Sequence, residues 1–148
     1  MERTRDGYTI STDPDRLDLD LIHGYLSHSY WAEGIPRELV ARSIKNALAF
    51  GIYHGAEQVG FARVITDRAT FAYLGDVFVL EAYRGRGLAR WLLEVIQAHP
   101  DLQGLRRWVL LTRDAHALYR QAGWTSLAAP DRYMERWYKD VYRRGVGN

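Results

Sequence analysis

The chain has no cysteine among its 148 residues, which excludes disulfides, thiolate metal sites and a thiol nucleophile. It has no uncharged apolar stretch long enough to span a membrane. Its first residues, Met1-Glu2-Arg3-Thr4-Arg5-Asp6, lack the apolar centre of a signal peptide, so a cytoplasmic protein is expected. A strong charge of one sign is missing too. The net charge is +2, and bases are interspersed with acids apart from a cluster at Arg84, Arg86 and Arg90 and a tail pair at Arg143 and Arg144, which reads as a solvated end. That pattern, with no interleaved aromatic platform, argues against nucleic acid as a partner, and no membrane is implied. The histidines at 23, 28, 54, 99 and 116 show no ligand spacing, and His23 and His28, five apart, do not share a helix face. No metal is expected.

What is present is enough apolar material for a core. At 47% apolar side chains, residues 1–148 should form one domain. Tyr8–Ser11 reads as a first strand, and Asp13-Pro14-Asp15 as a turn. Leu21, Ile22, Tyr25 and Leu26 recur at helical spacing behind Asp18 and Asp20. Pro36 suits the first position of a second helix, whose apolar face is Val40, Ile44, Ala47 and Leu48. Three strands follow, Ala49–Tyr53, Val59–Ile65 and Phe71–Leu80, joined by turns short enough to require antiparallel pairing. Leu88, Trp91, Leu92, Val95 and Ile96 mark a helix packed on the sheet. The continuous run Trp108–Leu111 predicts a central strand covered on both faces. A short helix around Ala115–Ala122 and a final strand pair, Trp124–Ser126 and Arg132–Tyr138, complete the order β-α-α-β-β-β-α-β-α-β-β. The fold class is α/β (α+β), a mixed sheet of about six or seven strands flanked by four helices.

The segment from Asp76 to Ala89 is the most informative. An apolar strand runs into Tyr83-Arg84-Gly85-Arg86-Gly87-Leu88-Ala89, and a helix starts at once. Unpaired amides and the helix dipole make such a place a phosphate site, and Gly85 and Gly87 let the backbone approach a ligand. A dinucleotide fingerprint fails because Arg90 stands at the third glycine, and no Gly-Lys-Ser or Gly-Lys-Thr follows to make a nucleotide triphosphatase loop. A glycine turn with solvated arginines is the simpler reading of the loop taken alone.

Arg84, Gly87 and Ala89 match the acyl-CoA-binding signature of the GCN5-related N-acetyltransferases (GNAT), Arg or Gln, two residues, Gly, one residue, Gly or Ala. Tyr73–Val79 resembles that family's central strand, and Ala115–Trp124 its late helix ending in Tyr, polar residues, Gly and an aromatic. The element order matches as well, so the resemblance covers nearly the whole chain. It implies acetyl-CoA as co-substrate, with its pyrophosphate on the amides of Arg84, Gly85, Arg86, Gly87, Leu88 and Ala89. It also implies that the thioester arm pairs with the backbone of Val77, Phe78 and Val79. Thr112 stands where many members place a cofactor-binding Asn. The acceptor implied is a primary amine of a small molecule or peptide, and a homodimer is the assembly expected.

Acetyl transfer needs a neutral amine, a donor for the oxyanion and a proton for the departing thiolate. The resemblance places Tyr119 at the general acid. Its phenol, with an ordinary pKa of about 10, holds a proton at neutral pH; the ring could equally be a core aromatic beside Ala115, Leu118 and Ala122. The general base stays open. Polyamine-type relatives carry Glu where this chain has Gly75, and Asp76, Glu33, Tyr30, His116 or a water chain remain. Asp114 reads as a helix cap. The acceptor wall implied by the resemblance includes Tyr30, Trp31 and Glu33, with Tyr133, Glu135 and Trp137 from the last strand. The missing carboxylate at Gly75 leaves a second reading, an acyl-CoA sensor of the same fold.

Overall fold

Asp6 and Gly7, at φ of 51° and 84°, make the two-residue turn between β1 (Glu2–Arg5) and β2 (Tyr8–Ser11). Both turn positions need positive φ, which favours the Asp-Gly pair. β1 has no apolar alternation, and the sequence reading begins only at Tyr8. The computed structural model describes residues 1–146, with side chains through Arg143; Arg144 of the tail pair falls outside the described side chains, as do Gly147 and Asn148 altogether.

α1 (Leu19–Ser27) starts at Asp18, whose carboxylate accepts the Leu21 N–H at 3.1 Å and so satisfies one of the four donors a helix start leaves free. α2 (Arg37–Lys45) begins one residue later than expected, with Pro36 as its cap. The proline ring fixes φ near −65° in either position, so the two are hard to separate by sequence. β3 (Leu48–His54), β4 (Glu57–Thr66) and β5 (Phe71–Val79) form the expected antiparallel meander. The β4–β5 turn is tied by Asp67, which accepts the amides of Ala69, Thr70 and Phe71; these bonds, with one from the Thr70 hydroxyl, hold its carboxyl well below the usual range. α3 (Leu88–Gln97) then crosses over to β6 (Arg107–Leu110), which lies parallel to β5. The sheet order is β1-β2-β3-β4-β5-β6. α4 (His116–Gln121) and α5 (Val141–Val146) follow. None of these helices is long and apolar enough to cross a membrane.

Strand alternation sends neighbours to opposite faces, and each face has its own core. Ile10, Phe50, Ile52, Ala62, Val64 and Leu74 meet Leu92, Leu93 and Ile96 of α3. Ala49, Phe61 and Phe78 meet Ile22, Leu26 and Val40 of α1 and α2.

Two expectations fail at the far end. Trp108–Leu111 is not a central strand: β6 ends the sheet, its Trp108, Val109 and Leu110 are only half-buried, and Leu111 is 76% exposed. Trp124–Ser126 and Arg132–Tyr138 are not strands. Pro130–Arg132 is a single 3-10 turn, and 133–138 pairs with nothing. Its residues have strand-forming composition, but a strand also needs an edge to bond, and within this chain the segment meets none. The observed order is therefore β-β-α-α-β-β-β-α-β-α-α.

Candidate active site

The glycine loop is a cradle of free amides. Gly85 and Gly87 have φ of 77° and 75°, and a Cβ built on either would meet nothing within 4 Å, so the loop stands open. The Trp91 N–H makes the first bond to the loop, to the Gly87 carbonyl at 3.0 Å. The N–H groups of Gly85 to Arg90 have no acceptor within the described residues. The Arg84 amide does not join them, since it already donates to the Glu81 carbonyl at 3.2 Å. The free set is thus shifted one residue along from the expected Arg84–Ala89.

The arginines do less than the sequence suggested. Arg84 donates through Nε to the Val79 carbonyl at 3.0 Å and through Nη2 to the Tyr25 hydroxyl at 3.0 Å, which ties the loop to β5 and α1. Arg86 reaches the Tyr8 hydroxyl and Arg90 the Gln121 side chain, each at 3.2 Å. The loop's capacity for an anion lies first in its amides.

β5 and β6 part beside this loop. They pair from Phe71↔Arg107 to Leu74↔Leu110, and beyond Leu74 the edge of β5 that faces β6 has no strand neighbour. Val77, Phe78 and Val79 lie along that open edge. Phe78 is buried, its ring stacked on Tyr25 at 3.9 Å, and the Val79 carbonyl is already held by Arg84.

Tyr119, on α4 after β6, is 9% exposed and edge-on to Trp124 at 6.0 Å. It is both core aromatic and candidate acid: its hydroxyl bonds no described residue, yet it is not among the sealed, unpartnered polar atoms. Burial, and secondarily the neighbouring Tyr30, push its pKa up to about 12. Tyr30 belongs to the aromatic segment after α1. Its hydroxyl accepts the Arg113 N–H at 3.1 Å, and the Arg113 guanidinium lies 3.9 Å above its ring.

Asp76 sits on a bulge that sequence alternation could not reveal. The β4–β5 register passes from Phe61↔Phe78 to Arg63↔Gly75, so Asp76 and Val77 oppose Ala62 alone, and Asp76 has a φ of 56°. The bulge aims its carboxylate at Arg63 Nε, 2.8 Å from Oδ2, while Trp31 Nε1 donates to Oδ1 at 2.9 Å. Both partners of the ion pair are largely buried, at 18% and 10% exposure. Tyr73 lies beside them with its pKa raised, first by burial and then by Asp76. Its ring also covers Gly75, where a Cβ would come within 3.1 Å of Cε1.

Tyr30 and Trp31 therefore reach the split between β5 and β6. Glu33 does not: it is exposed and makes no ion pair or side-chain hydrogen bond among the described residues. Tyr133 lies by Arg107, with the guanidinium 5.7 Å from its ring, and Glu135 and Trp137 are exposed on the same segment, so the expected aromatic wall is not assembled. The Thr112 hydroxyl accepts the Ala115 N–H at 3.1 Å; no side chain caps α4, and Asp114, expected to, pairs with Arg113. Sequence reading missed Arg63, Tyr73 and Arg113; only their spacing across separate strands and loops makes them neighbours. No group of three metal-ligating side chains occurs among the described residues.

Comparison with known proteins agrees with this geometry. Residues 45–126 match the model of the Acetyltransferase (GNAT) domain family. A Gibberella zeae protein provisionally named an acetyltransferase is 35% identical over 139 residues, covering 78% of this chain and 77% of that protein. A crystal structure of a GNAT-family protein from Xanthomonas campestris pv. campestris superposes with a TM-score of 0.90 at 50% identity, covering 94% of this chain and 99% of that one. A Deinococcus radiodurans structure at 17% identity and TM-score 0.73, covering 95% of both chains, shares the fold.

Proposed function

This chain belongs to the GNAT acetyltransferase family, and on that footing we propose that it moves an acetyl group from acetyl-CoA to a primary amine. The observation that carries the proposal is the run of six acceptorless amides, Gly85 to Arg90, opening beside the β5–β6 split, with Tyr119 on α4, the helix that follows β6. Orphan donors at a helix start bind anions, and the pyrophosphate of CoA is one. The unpaired edge of β5 near Val77 and Phe78 offers backbone groups to the amides of the carrier's arm, in the manner of an added strand.

In the reaction the amine nitrogen attacks the thioester carbonyl, a C–N bond forms and the C–S bond breaks. Tyr119 supplies the sulfur with its proton. A phenol raised to about 12 stays protonated throughout neutral pH, so the acid is always loaded. Full transfer to a thiolate, whose own pKa is near 8.5, is then uphill by about 3.5 units. Tyr119 accordingly acts as a strong hydrogen-bond donor to the developing charge, and the proton crosses late. The amine's proton leaves to water, and water returns a proton to the Tyr119 phenolate; Asp76 is too fully engaged by Arg63 and Trp31 to be assigned as base. Tyr30 and Trp31 line the acceptor side, where an aromatic face suits a cation before it is deprotonated. The wider reading is of a cytoplasmic enzyme working as a homodimer on a small-molecule or peptide amine, without metal.

The covering of Gly75 by Tyr73 favours one other reading, an acyl-CoA sensor with little turnover. A thiol-release assay with acetyl-CoA over polyamines, aminoglycosides, free amino acids and peptide N-termini separates the two. Turnover with any amine supports the enzyme. Tight acetyl-CoA binding with no turnover across the panel supports the sensor.

A further inference from the structure

Arg113 is fixed at both ends. Its backbone N–H donates to the Tyr30 hydroxyl at 3.1 Å, and its guanidinium lies 3.9 Å from the centre of the same ring. The two residues come from separate elements: Tyr30 follows α1, and Arg113 follows β6, the strand that borders the split. Trp31 stands next to Tyr30, with ring centres 5.1 Å apart, and its Nε1 donates to Asp76 on the β5 bulge. Arg113 thus belongs to the acceptor side. A free arginine gives up rotamer freedom when it binds a ligand, and here the stack has already restricted it.

Stacking covers one face of a guanidinium and leaves the N–H donors along its edge available. The sole ion-pair partner of Arg113 among the described residues is its chain neighbour Asp114, at 3.5 Å, and both side chains are exposed, at 64% and 68%. An exposed pair of this kind contributes little, so a better-placed anion can displace Asp114. The other carboxylates of this region are unavailable or elsewhere. Asp76 has Trp31 on Oδ1 and Arg63 on Oδ2, β6 carries no acid, and Glu33 stands off the split. The acceptor side therefore offers a fork for an anion and no free carboxylate for a second cation.

We propose that the acceptor is a small amino acid, a primary amine and a carboxylate in one molecule. Its carboxylate takes the edge of Arg113, and its amine lies against the partly exposed rings of Tyr30 and Trp31. The proposal deepens the acyl-transfer reading and rests on it. A planar fork holds a carboxylate by two parallel bonds, which fixes direction as well as position. Arg113 is then the residue that selects the amine. Polyamines and aminoglycosides bring further positive charge against the guanidinium, and a peptide N-terminus carries an amide where the carboxylate should be.

Thiol release from acetyl-CoA over matched trios tests it: leucine, phenylalanine and serine, each beside its amide and the amine left by decarboxylation. In the parent the acid should exceed its amide in kcat/KM by about 10- to 150-fold, the range for hydrogen bonds to a charged group. Arg113→Gln, at an exposed side chain, should bring the two within about threefold of each other, mainly by raising KM for the acid. Circular dichroism checks folding. Equal losses for acid and amide would mark a merely structural residue and overturn the proposal. So would a parent that turns over amides or plain amines as fast as acids; the acyl-transfer reading survives either result. No turnover with any of these compounds or with spermidine overturns that reading, and the proposal with it.

Discussion

Replacing Tyr119 by Phe keeps the ring against Trp124 and removes one hydroxyl that bonds no described residue. Folding should hardly notice. A hydroxyl that is not sealed from water and bonds no described residue contributes little to folding, so the melting temperature should stay within about 2 °C of the parent. Turnover should fall. If Tyr119 only donates a hydrogen bond to sulfur as charge develops, the loss is about 1.5–3 kcal/mol, or roughly 10- to 150-fold. If the proton is transferred in the transition state, general acid catalysis adds to this, toward 10²- to 10⁴-fold. The two ranges overlap at about 10²-fold. The assay is thiol release at saturating acetyl-CoA and amine, with calorimetry to show that acetyl-CoA affinity is unchanged. Parent-level turnover in the Phe variant would refute the role. A parallel loss of turnover and acetyl-CoA binding would show that the hydroxyl holds the co-substrate and does not donate to the leaving group.

Other outcomes follow from buried charge and burial. Asp76→Asn should destabilise by about 3 kcal/mol in chemical denaturation, because it strands the Arg63 guanidinium, 18% exposed, without its counter-ion; a loss under 1 kcal/mol would mean that the pair does not hold the bulge. Tyr53 and Tyr119 both have pKa values raised to about 12 by burial, against about 10 when unfolded. The neutral phenols are favoured in the fold, so this stability is intact below pH 10 and drains as pH climbs through 12, by up to about 2–3 kcal/mol per tyrosine. Denaturant midpoints measured from pH 9 to 12 should fall accordingly, and Tyr53→Phe should flatten part of the slope.

The meander, the helix after the glycine loop and the loop itself were legible because each has its own period or turn chemistry: Val59–Ile65 reads as a strand, Leu88–Ile96 as a helix, and Gly85 and Gly87 as a place where the backbone can approach a ligand. What escaped was relational. Asp6-Gly7 marks a hairpin, but the charged strand before it gives no apolar signal. Asp76 changes face because a bulge inserts one residue, and no local pattern at Gly75-Asp76-Val77 announces it. Arg63, Tyr73 and Arg113 enter the site only through tertiary neighbours. At Arg132–Tyr138 the residues do favour a strand; the missing ingredient is an edge, which sequence cannot supply.

Calorimetric titration of acetyl-CoA into the parent and into Gly87→Asp tests the central claim most directly. Gly87 caps α3 at a φ of 75° with open space about it, so an aspartate there puts bulk and negative charge where the free amides converge. Gly87→Asn, which tolerates that φ and carries no charge, controls for backbone strain. The account predicts that the parent binds, that Asn weakens binding modestly and that Asp weakens it at least 100-fold. Equal acetyl-CoA affinity in the parent and a folded Gly87→Asp variant would contradict it.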